Sequence, residues 1–126
     1  MDIGKNKMEI SYRLANSEDF DFLVELRILM QLEVNGLDET QATSKYRDRV
    51  SRYFQNAIAQ EKYFAAVAVH EGKIVANAGV CFYEKPPSIS GGFGKQGYVT
   101  NVFTRKSHRG KGIATQLMKL LNQLAV

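Results

Sequence analysis

The sequence contains very little of what would tie it to a secreted or membrane protein. Its 126 residues include one cysteine, Cys81, and two prolines, with no tryptophan. One cysteine excludes an intramolecular disulfide and fits a reducing compartment. No apolar run approaches membrane-spanning length, and residues 1–7 are too polar for a secretory signal. We therefore expect a single cytoplasmic domain over residues 1–126, with no membrane partner.

Acidic residues are also missing, from Val99 to the end of the sequence. Asp and Glu are the favoured residues at the start of a helix, so a basic stretch that leads into a helical pattern suggests a binding role. The whole chain has 17 Lys and Arg against 13 Asp and Glu, a formal net charge of +4. This excess favours an anionic ligand without identifying it.

The basic stretch has the pattern of a strand, a glycine-containing loop and a helix. Residues 97–104 are rich in β-branched and aromatic side chains, which favour a strand. Apolar residues at positions 113, 117, 120, 121 and 124 share one helical face. Gly110 and Gly112, between them, let a pyrophosphate approach the backbone, while Arg109, Lys111 and the first N–H groups of the helix attract it. The pattern therefore predicts an anion site.

Upstream, the sequence predicts one strand, two helices and two further strands. They are a strand over 9–14, a helix from a cap at Asn16 or Ser17 to about Val34, a helix capped by Thr43 or Ser44, and strands over 63–69 and 74–83. A four-residue hairpin connection over 70–73 joins the last two strands, and a loop over 84–95 precedes the 97–104 strand. Gly79 predicts a bulge or a close approach of another group to the backbone.

At these residues the chain resembles the GNAT superfamily of N-acetyltransferases. The family signature is Arg or Gln, two residues, Gly, one residue, then Gly or Ala, and Arg109, Gly112 and Ala114 stand at its three fixed positions. The resemblance implies an α/β (α+β) fold of order β-α-α-β-β-β-α, with a mixed, mostly antiparallel sheet flanked by helices. It also implies acetyl-CoA as co-substrate, bound by residues of the strand, loop and helix: Val102, Phe103, Thr104, Arg109, Gly110, Lys111, Gly112, Ile113, Ala114 and Thr115.

The activity that the resemblance implies is transfer of an acetyl group from acetyl-CoA to a primary amine of a small molecule or peptide. The amine attacks directly, without an acyl-enzyme and without a metal. Glu33, late in the first helix, and Glu84, after the third strand, are the candidate general bases because the acceptor cleft of such folds lies near those elements. The departing thiolate is often protonated by a Tyr further along the family domain, for which Tyr83 and Tyr98 are nominal substitutes.

Several alternatives remain open at this point. The chain could be a catalytically incompetent module that binds coenzyme A or a partner protein, or the glycines could form a simple turn into a core helix. A nucleic-acid partner is not expected, because the basic cluster is short and lacks interleaved aromatic residues. The family domain normally continues past this helix into another strand. We therefore expect an uncovered edge on the 98–104 strand, which invites a homodimer.

Overall fold

The computed structural model describes residues 9–84, 86–87, 89 and 95–124, and these form one four-stranded sheet with three helices. Their order confirms the predicted succession of strands and helices. In chain order the elements are β1 (Ser11–Leu14), α1 (Phe20–Asn35), α2 (Ser44–Ala59), β2 (Tyr63–His70), β3 (Lys73–Glu84), β4 (Lys95–Thr104) and α3 (Ile113–Leu124). No helix in this described part is long and apolar enough to cross a membrane.

The strands lie in the order β1-β2-β3-β4, and each neighbouring pair is antiparallel. Strands β2 and β3 are therefore central, and both of their faces are covered by helices. This explains the near-continuous apolar run of β2, in which Ala66, Val67 and Ala68 are all fully buried. In the described residues β4 pairs only with β3, so its other side is the edge of the sheet.

The helices divide between the two faces of the sheet and create two apolar clusters. Helices α1 and α2 pack on the face that carries Ala65 and Val67 of β2. Helix α3 packs on the opposite face, over Ala66 and Ala68. The alternation follows from the two-residue period of a strand, and alanines on the α3 face let that helix lie close to the sheet.

Both predicted caps form, although Asn16 caps a 3-10 turn and α1 itself begins only at Phe20. The Asn16 side chain accepts a hydrogen bond from the N–H of Glu18 at 2.9 Å and caps a short 3-10 turn that leads into α1. The Thr43 hydroxyl accepts from the N–H of Tyr46 at 3.1 Å and caps α2. Each cap satisfies an N–H group that has no partner within its helix.

One expectation from the sequence, the length of the hairpin connection, needs correction. The connection between β2 and β3 is not four residues long, because His70 and Lys73 already pair across the strands. Only Glu71 and Gly72 turn the chain, with φ of 51° and 76°, and two left-handed residues match the twist of a tight hairpin. Val34, at the predicted end of the first helix, is 72% exposed. Most of the predicted 84–95 loop, and residues 1–7, lie outside the described residues.

Candidate functional site

The connection from β4 to α3 forms the loop that the sequence singles out. A short 3-10 turn over Lys106–His108 follows β4, and Arg109 then leads into the two glycines. Gly110 and Gly112 adopt φ of 78° and 76°, the left-handed region that side chains with a Cβ rarely enter. A Cβ placed on either glycine would meet no atom within 4 Å. The backbone conformation therefore requires glycine here, and the space beside the loop is open.

Helix α3 starts directly after this loop and presents its N-terminus to the open space. The carbonyl of Gly112 accepts the N–H of Gln116 at 3.2 Å, which marks the first helical turn. The N–H groups of that turn have no partner within the helix and carry the positive end of its dipole. Ile113 is buried against the sheet and anchors the turn, while Ala114 and Thr115 are exposed. The geometry is that of an anion-binding helix start.

Arg109 ties the loop to the strand and to the first helix. Its Nε donates to the carbonyl of Thr104 at 2.8 Å, and its guanidinium carbon lies 5.3 Å from the centre of the Phe103 ring. Its Nη2 donates to both carboxylate oxygens of Glu33 at 3.0 Å. The Lys106 ammonium lies 3.9 Å from the same carboxylate. Glu33 therefore sits at the mouth of the loop and offsets part of its positive charge.

A cleft of about 420 Å³, which we call the cofactor cleft, lies between this loop, the end of β4 and the end of α1. Of the ten residues predicted to bind acetyl-CoA, all except Lys111 line it. Those nine are Val102, Phe103, Thr104, Arg109, Gly110, Gly112, Ile113, Ala114 and Thr115. Met30, Glu33, Val34 and His108 complete the lining. Lys111 is an exposed residue of the same loop.

The two candidate bases lie in different places. Glu33 lines the cofactor cleft and is bound to Arg109. Glu84 ends β3 and lines a separate cavity of about 690 Å³ beside Lys62 and Phe82. The structure therefore does not bring the two carboxylates together.

A second cavity adjoins the cofactor cleft, on the face of the sheet that α1 and α2 cover. It has a volume of about 490 Å³, and we call it the tyrosine cavity. Its main polar side chains are Arg27, Tyr46, Arg49, Tyr53, Tyr63 and Tyr98. Asn101 of β4 also lines it, while the next residue, Val102, lines the cofactor cleft. Consecutive residues of β4 thus line the two cavities, and we call Asn101 and Val102 their junction.

A β-bulge in β4 creates this junction. The pairing with β3 shifts between Asn77 and Gly79, so that one residue of β3 faces two of β4. Asn101 has a φ of 61°, and its buried side chain donates to the Tyr63 hydroxyl at 3.2 Å. Gly79 confirms its predicted close approach, because a Cβ there would lie 1.9 Å from that hydroxyl.

Two tyrosines of the cavity, Tyr53 and Tyr63, have a raised pKa. Burial is the main cause that raises the pKa of Tyr63 to about 12. Burial, with help from a 3.2 Å contact between its hydroxyl and the Cys81 sulfur, also raises the pKa of Tyr53 to about 12. At neutral pH these hydroxyls can donate hydrogen bonds but carry no charge.

Nine residues predicted from the sequence line one cleft, whereas the tyrosine cavity was not predicted. Most of the cleft lining comes from residues close together in the sequence, whereas the cavity is lined by residues of three strands and two helices that are far apart in the chain. One local signal was present: Asn101 interrupts a β-branched strand, and Asn is both depleted in strands and tolerant of positive φ. Among the described residues, no group of three or more His, Cys, Asp or Glu side chains could hold a metal ion.

Comparison with known proteins finds similarity to acetyltransferases of the GNAT family. The sequence model of the acetyltransferase (GNAT) family matches residues 27–126. No match is found among curated proteins.

Three solved structures illustrate the similarity. A predicted acetyltransferase from Clostridium acetobutylicum, solved with acetyl-CoA, is 31% identical over 93% of this chain and 73% of that one, with a TM-score of 0.79. A GCN5-related N-acetyltransferase from Ralstonia eutropha JMP134 is 26% identical over 92% and 75%, with a TM-score of 0.78. Glucosamine-6-phosphate N-acetyltransferase from Arabidopsis thaliana, at 20% identity over 91% and 73% and a TM-score of 0.61, shares the fold.

Proposed function

We propose, since this chain belongs to the GNAT family of acetyltransferases, that it transfers an acetyl group from acetyl-CoA to a primary amine. The observation that carries the proposal is the cofactor cleft, where nine residues selected from the sequence surround one cavity. The tyrosine cavity opens from the same point of β4 and offers a place for the amine.

The chemistry of the cleft suits the pyrophosphate of acetyl-CoA. Gly110 and Gly112 leave open space beside the backbone, and the first turn of α3 supplies N–H donors. Arg109 adds a full positive charge with a forked set of donors. The sequence contains no Asp or Glu after Glu84, so neither the loop nor α3 repels an anion. We assign the pyrophosphate to residues 109–115 and the pantetheine arm to Val102, Phe103 and Thr104.

When bound, acetyl-CoA supplies an electrophilic thioester carbonyl, whose C–S bond breaks as the C–N bond to the amine forms. The protein must orient the two reactants and stabilise negative charge on the carbonyl oxygen. We assign that stabilisation to the backbone N–H groups of Phe103 and Thr104, beside the bulge. These donors belong to a strand of the sheet and therefore need little reorganisation.

Two protons must also move. The ammonium form of the amine gives one proton to a base before attack, and the attacking nitrogen releases a second as the sulfur leaves as a thiol. We propose Glu33 or Glu84 as the base, or a water held by backbone carbonyls. The neutral hydroxyls of Tyr53 and Tyr63 suit proton donation to the sulfur rather than proton removal, because each has a pKa of about 12.

Calorimetric titration with acetyl-CoA tests the cofactor assignment. We expect saturable binding that is lost in the Arg109→Ala, Gly112→Glu double variant, which removes a positive charge and places a carboxylate at the helix start. Lys119→Ala, an exposed position of α3 outside the cleft lining, is the control that loses one positive charge without loss of binding. Thiol release with a panel of amines then tests turnover. Binding without thiol release would instead support a module that only binds coenzyme A.

We also propose that the outer edge of β4 pairs with a second copy of the chain. In the described part this edge has no strand partner, and Tyr98, Val99 and Val102 are among its exposed apolar residues. Sedimentation should show a concentration-dependent dimer that Val99→Lys weakens and Gln55→Lys, on the exposed surface of α2, leaves intact. A monomer at every concentration would contradict this arrangement.

A further inference from the structure

We propose that the tyrosine cavity selects an acceptor amine that carries a second, anionic group, a carboxylate or a phosphate, bound by Arg27 and Arg49. The inference rests on the proposed acetyl transfer and names the class of its acceptor. Three properties of the cavity support it: the excess of positive charge in its lining, the uncharged hydroxyls of Tyr53 and Tyr63, and its volume.

The charge balance of the cavity is positive. Arg27 of α1 is half-buried and Arg49 of α2 is exposed at the rim, and both line the same space. No Asp or Glu is among the described residues that line it. Arg13 and Arg105 each have a carboxylate within 4 Å. Among the described residues, no carboxylate lies within that distance of Arg27 or Arg49.

The strand β4, which lines one side of the cavity, adds no negative charge to it. The cavity is bounded by β4, and neither β4 nor its connection from β3 contains Asp or Glu, because the last acidic residue of the sequence is Glu84. A guanidinium does not lose its proton in a protein. The described lining of the cavity thus holds two guanidinium groups and no carboxylate, so an anionic ligand can supply their counter-charge.

The tyrosines do not provide that counter-charge either. The hydroxyls of Tyr53 and Tyr63 are protonated at neutral pH, since the pKa of each is raised to about 12. Arg27 lines the same cavity as both tyrosines, and its charge lowers both pKa values against the larger effect of burial. An arginine beside neutral hydroxyl donors is a suitable environment for an oxyanion, which accepts hydrogen bonds from both kinds of group.

The size and walls of the cavity indicate a small molecule. A volume of about 490 Å³ falls within the range of small-ligand sites. The Tyr53 and Tyr63 rings pack edge to face with centroids 6.3 Å apart and form an apolar wall. The junction with the cofactor cleft is at Asn101 and Val102, so the amine end of the ligand belongs there and the anionic end belongs toward the two arginines.

The test uses two matched pairs of probes on the full chain saturated with coenzyme A. Phenylalanine is compared with phenylalaninamide, and O-phosphoethanolamine with ethanolamine, so that each pair differs by an anionic group. Calorimetry measures binding without turnover, and thiol release from acetyl-CoA measures turnover. The variants are Arg27→Gln with Arg49→Gln, and Arg49→Gln alone at its exposed position, where folding is not at risk. Arg52→Gln, an exposed α2 residue outside the cavity lining, is the control.

We expect at least one anionic probe to bind tenfold or more tightly than its neutral partner. The preference should fall at least fivefold in Arg49→Gln, vanish in the double variant and persist in Arg52→Gln, with acetyl-CoA affinity unchanged throughout. The pair that shows the preference tells a carboxylate from a phosphate. Equal binding within both pairs, no binding of any probe, or an equal loss in Arg52→Gln would overturn the proposal.

The two readouts separate this inference from the proposed reaction. Selective, arginine-dependent binding without thiol release would support the anionic pocket and contradict acetyl transfer. Thiol release with the neutral amines, unaffected by the arginine variants, would support acetyl transfer and overturn the anionic pocket.

Discussion

The carboxylate of Glu33, near the end of α1, accepts two hydrogen bonds at 3.0 Å from Nη2 of Arg109 at the entrance to the α3 loop. The pair joins the α1 layer of the fold to the proposed cofactor site. It also places a negative charge beside the group that we assign to a pyrophosphate. Glu33 therefore competes with a phosphate for the same guanidinium.

Replacement of Glu33 by Gln should tighten acetyl-CoA binding. Arg109 and Glu33 are 39% and 38% exposed at their side chains, so their interaction is worth less than about 1 kcal/mol, and we expect a gain of about two- to fivefold in affinity. Glu25→Gln is the matched control, since Glu25 pairs with Arg105 at 3.3 Å outside the cleft lining. Calorimetry at low ionic strength measures both variants. Unchanged or weaker binding in Glu33→Gln would contradict the competition.

The same variant tests Glu33 as the general base. If Glu33 removes the proton from the amine, kcat should fall by about two or more orders of magnitude while acetyl-CoA binds more tightly. If Glu33 only neutralises Arg109, kcat should remain within a few fold of the wild-type value. Steady-state rates with a saturating amine separate the two outcomes, and Glu84→Gln receives the same measurement.

Replacement of Asn101 by glycine should destabilise the protein less than replacement by alanine. Its φ of 61° is disfavoured by about 1 kcal/mol or more for a residue with a Cβ, so Asn101→Ala should be less stable than Asn101→Gly by about that amount. Both variants should also lose the hydrogen bond to Tyr63, worth about 1 kcal/mol. Chemical denaturation measures the free energy of unfolding of both variants and so ranks them. At Thr100, where φ is not positive, the same two substitutions should rank in the opposite order, and identical ranking at both positions would contradict the bulge.

The predictable part of the molecule is the part encoded by neighbouring residues. The caps at Asn16 and Thr43 and the loop of Gly110 and Gly112 depend on local backbone geometry, which residue type reveals. The order of the strands and helices follows from periodicity in the same way. This explains why nine of the ten residues selected from the sequence line one cleft in the structure.

The parts that could not be predicted depend on packing between distant segments. Tyr53 has the spacing of a core residue on α2, yet it is 49% exposed because it faces the tyrosine cavity rather than the sheet. In the sequence, Arg27 is only a charged residue that interrupts the apolar face of the first helix. Its place in a cavity becomes visible only when α2 and β4 are positioned around it. Periodicity identifies which face of a helix is buried but not where two buried faces leave a gap between them.

Asp19 should stabilise the start of α1 in a pH-dependent way. Its buried carboxylate accepts bonds from Nη1 and Nη2 of Arg13 at 2.6 and 2.9 Å and from the N–H of Asn16 at 2.8 Å. The hydrogen bonds from Arg13 are the main cause that holds the pKa of Asp19 below its usual range, despite burial. The stabilisation is therefore complete above the unfolded pKa, about 3.9, and is lost as the pH falls through the folded value.

We expect Asp19→Asn to lower the free energy of unfolding by about 1–3 kcal/mol at pH 7, the range for a hydrogen bond to a charged group. Asp21→Asn, at an exposed position in the first turn of α1, should cost less than about 1 kcal/mol. Urea denaturation between pH 7 and pH 3 measures both variants. The difference between wild type and Asp19→Asn should shrink at the acid end, and a constant difference would show that the charge of Asp19 is not responsible.

His108 lines the cofactor cleft and contacts a second histidine across the sheet. Its Nε2 lies 3.0 Å from Nδ1 of His70, so one of these nitrogens carries a proton and the other accepts it. Burial is the main cause that lowers the pKa of His108, followed by the charges of His70, Lys111 and Arg105. Because the folded pKa lies below the unfolded value of about 6.5, the unfolded chain binds more protons in that window. The free energy of unfolding should therefore decrease as the pH falls from about 6.5 toward the folded pKa.

The ring protons of His108 should titrate with a midpoint below 6.5 in a nuclear magnetic resonance pH series. His70→Gln should raise this midpoint because it removes a positive charge, and Glu71→Gln should lower it because Glu71 acts in the opposite direction. Coenzyme A bound in the cleft should raise it, since a nearby phosphate favours the imidazolium, and by linkage its affinity should increase as the pH falls through the midpoint. A midpoint that is insensitive to coenzyme A, with binding confirmed by calorimetry, would place the phosphates away from His108 and contradict the assignment of the 109–115 loop.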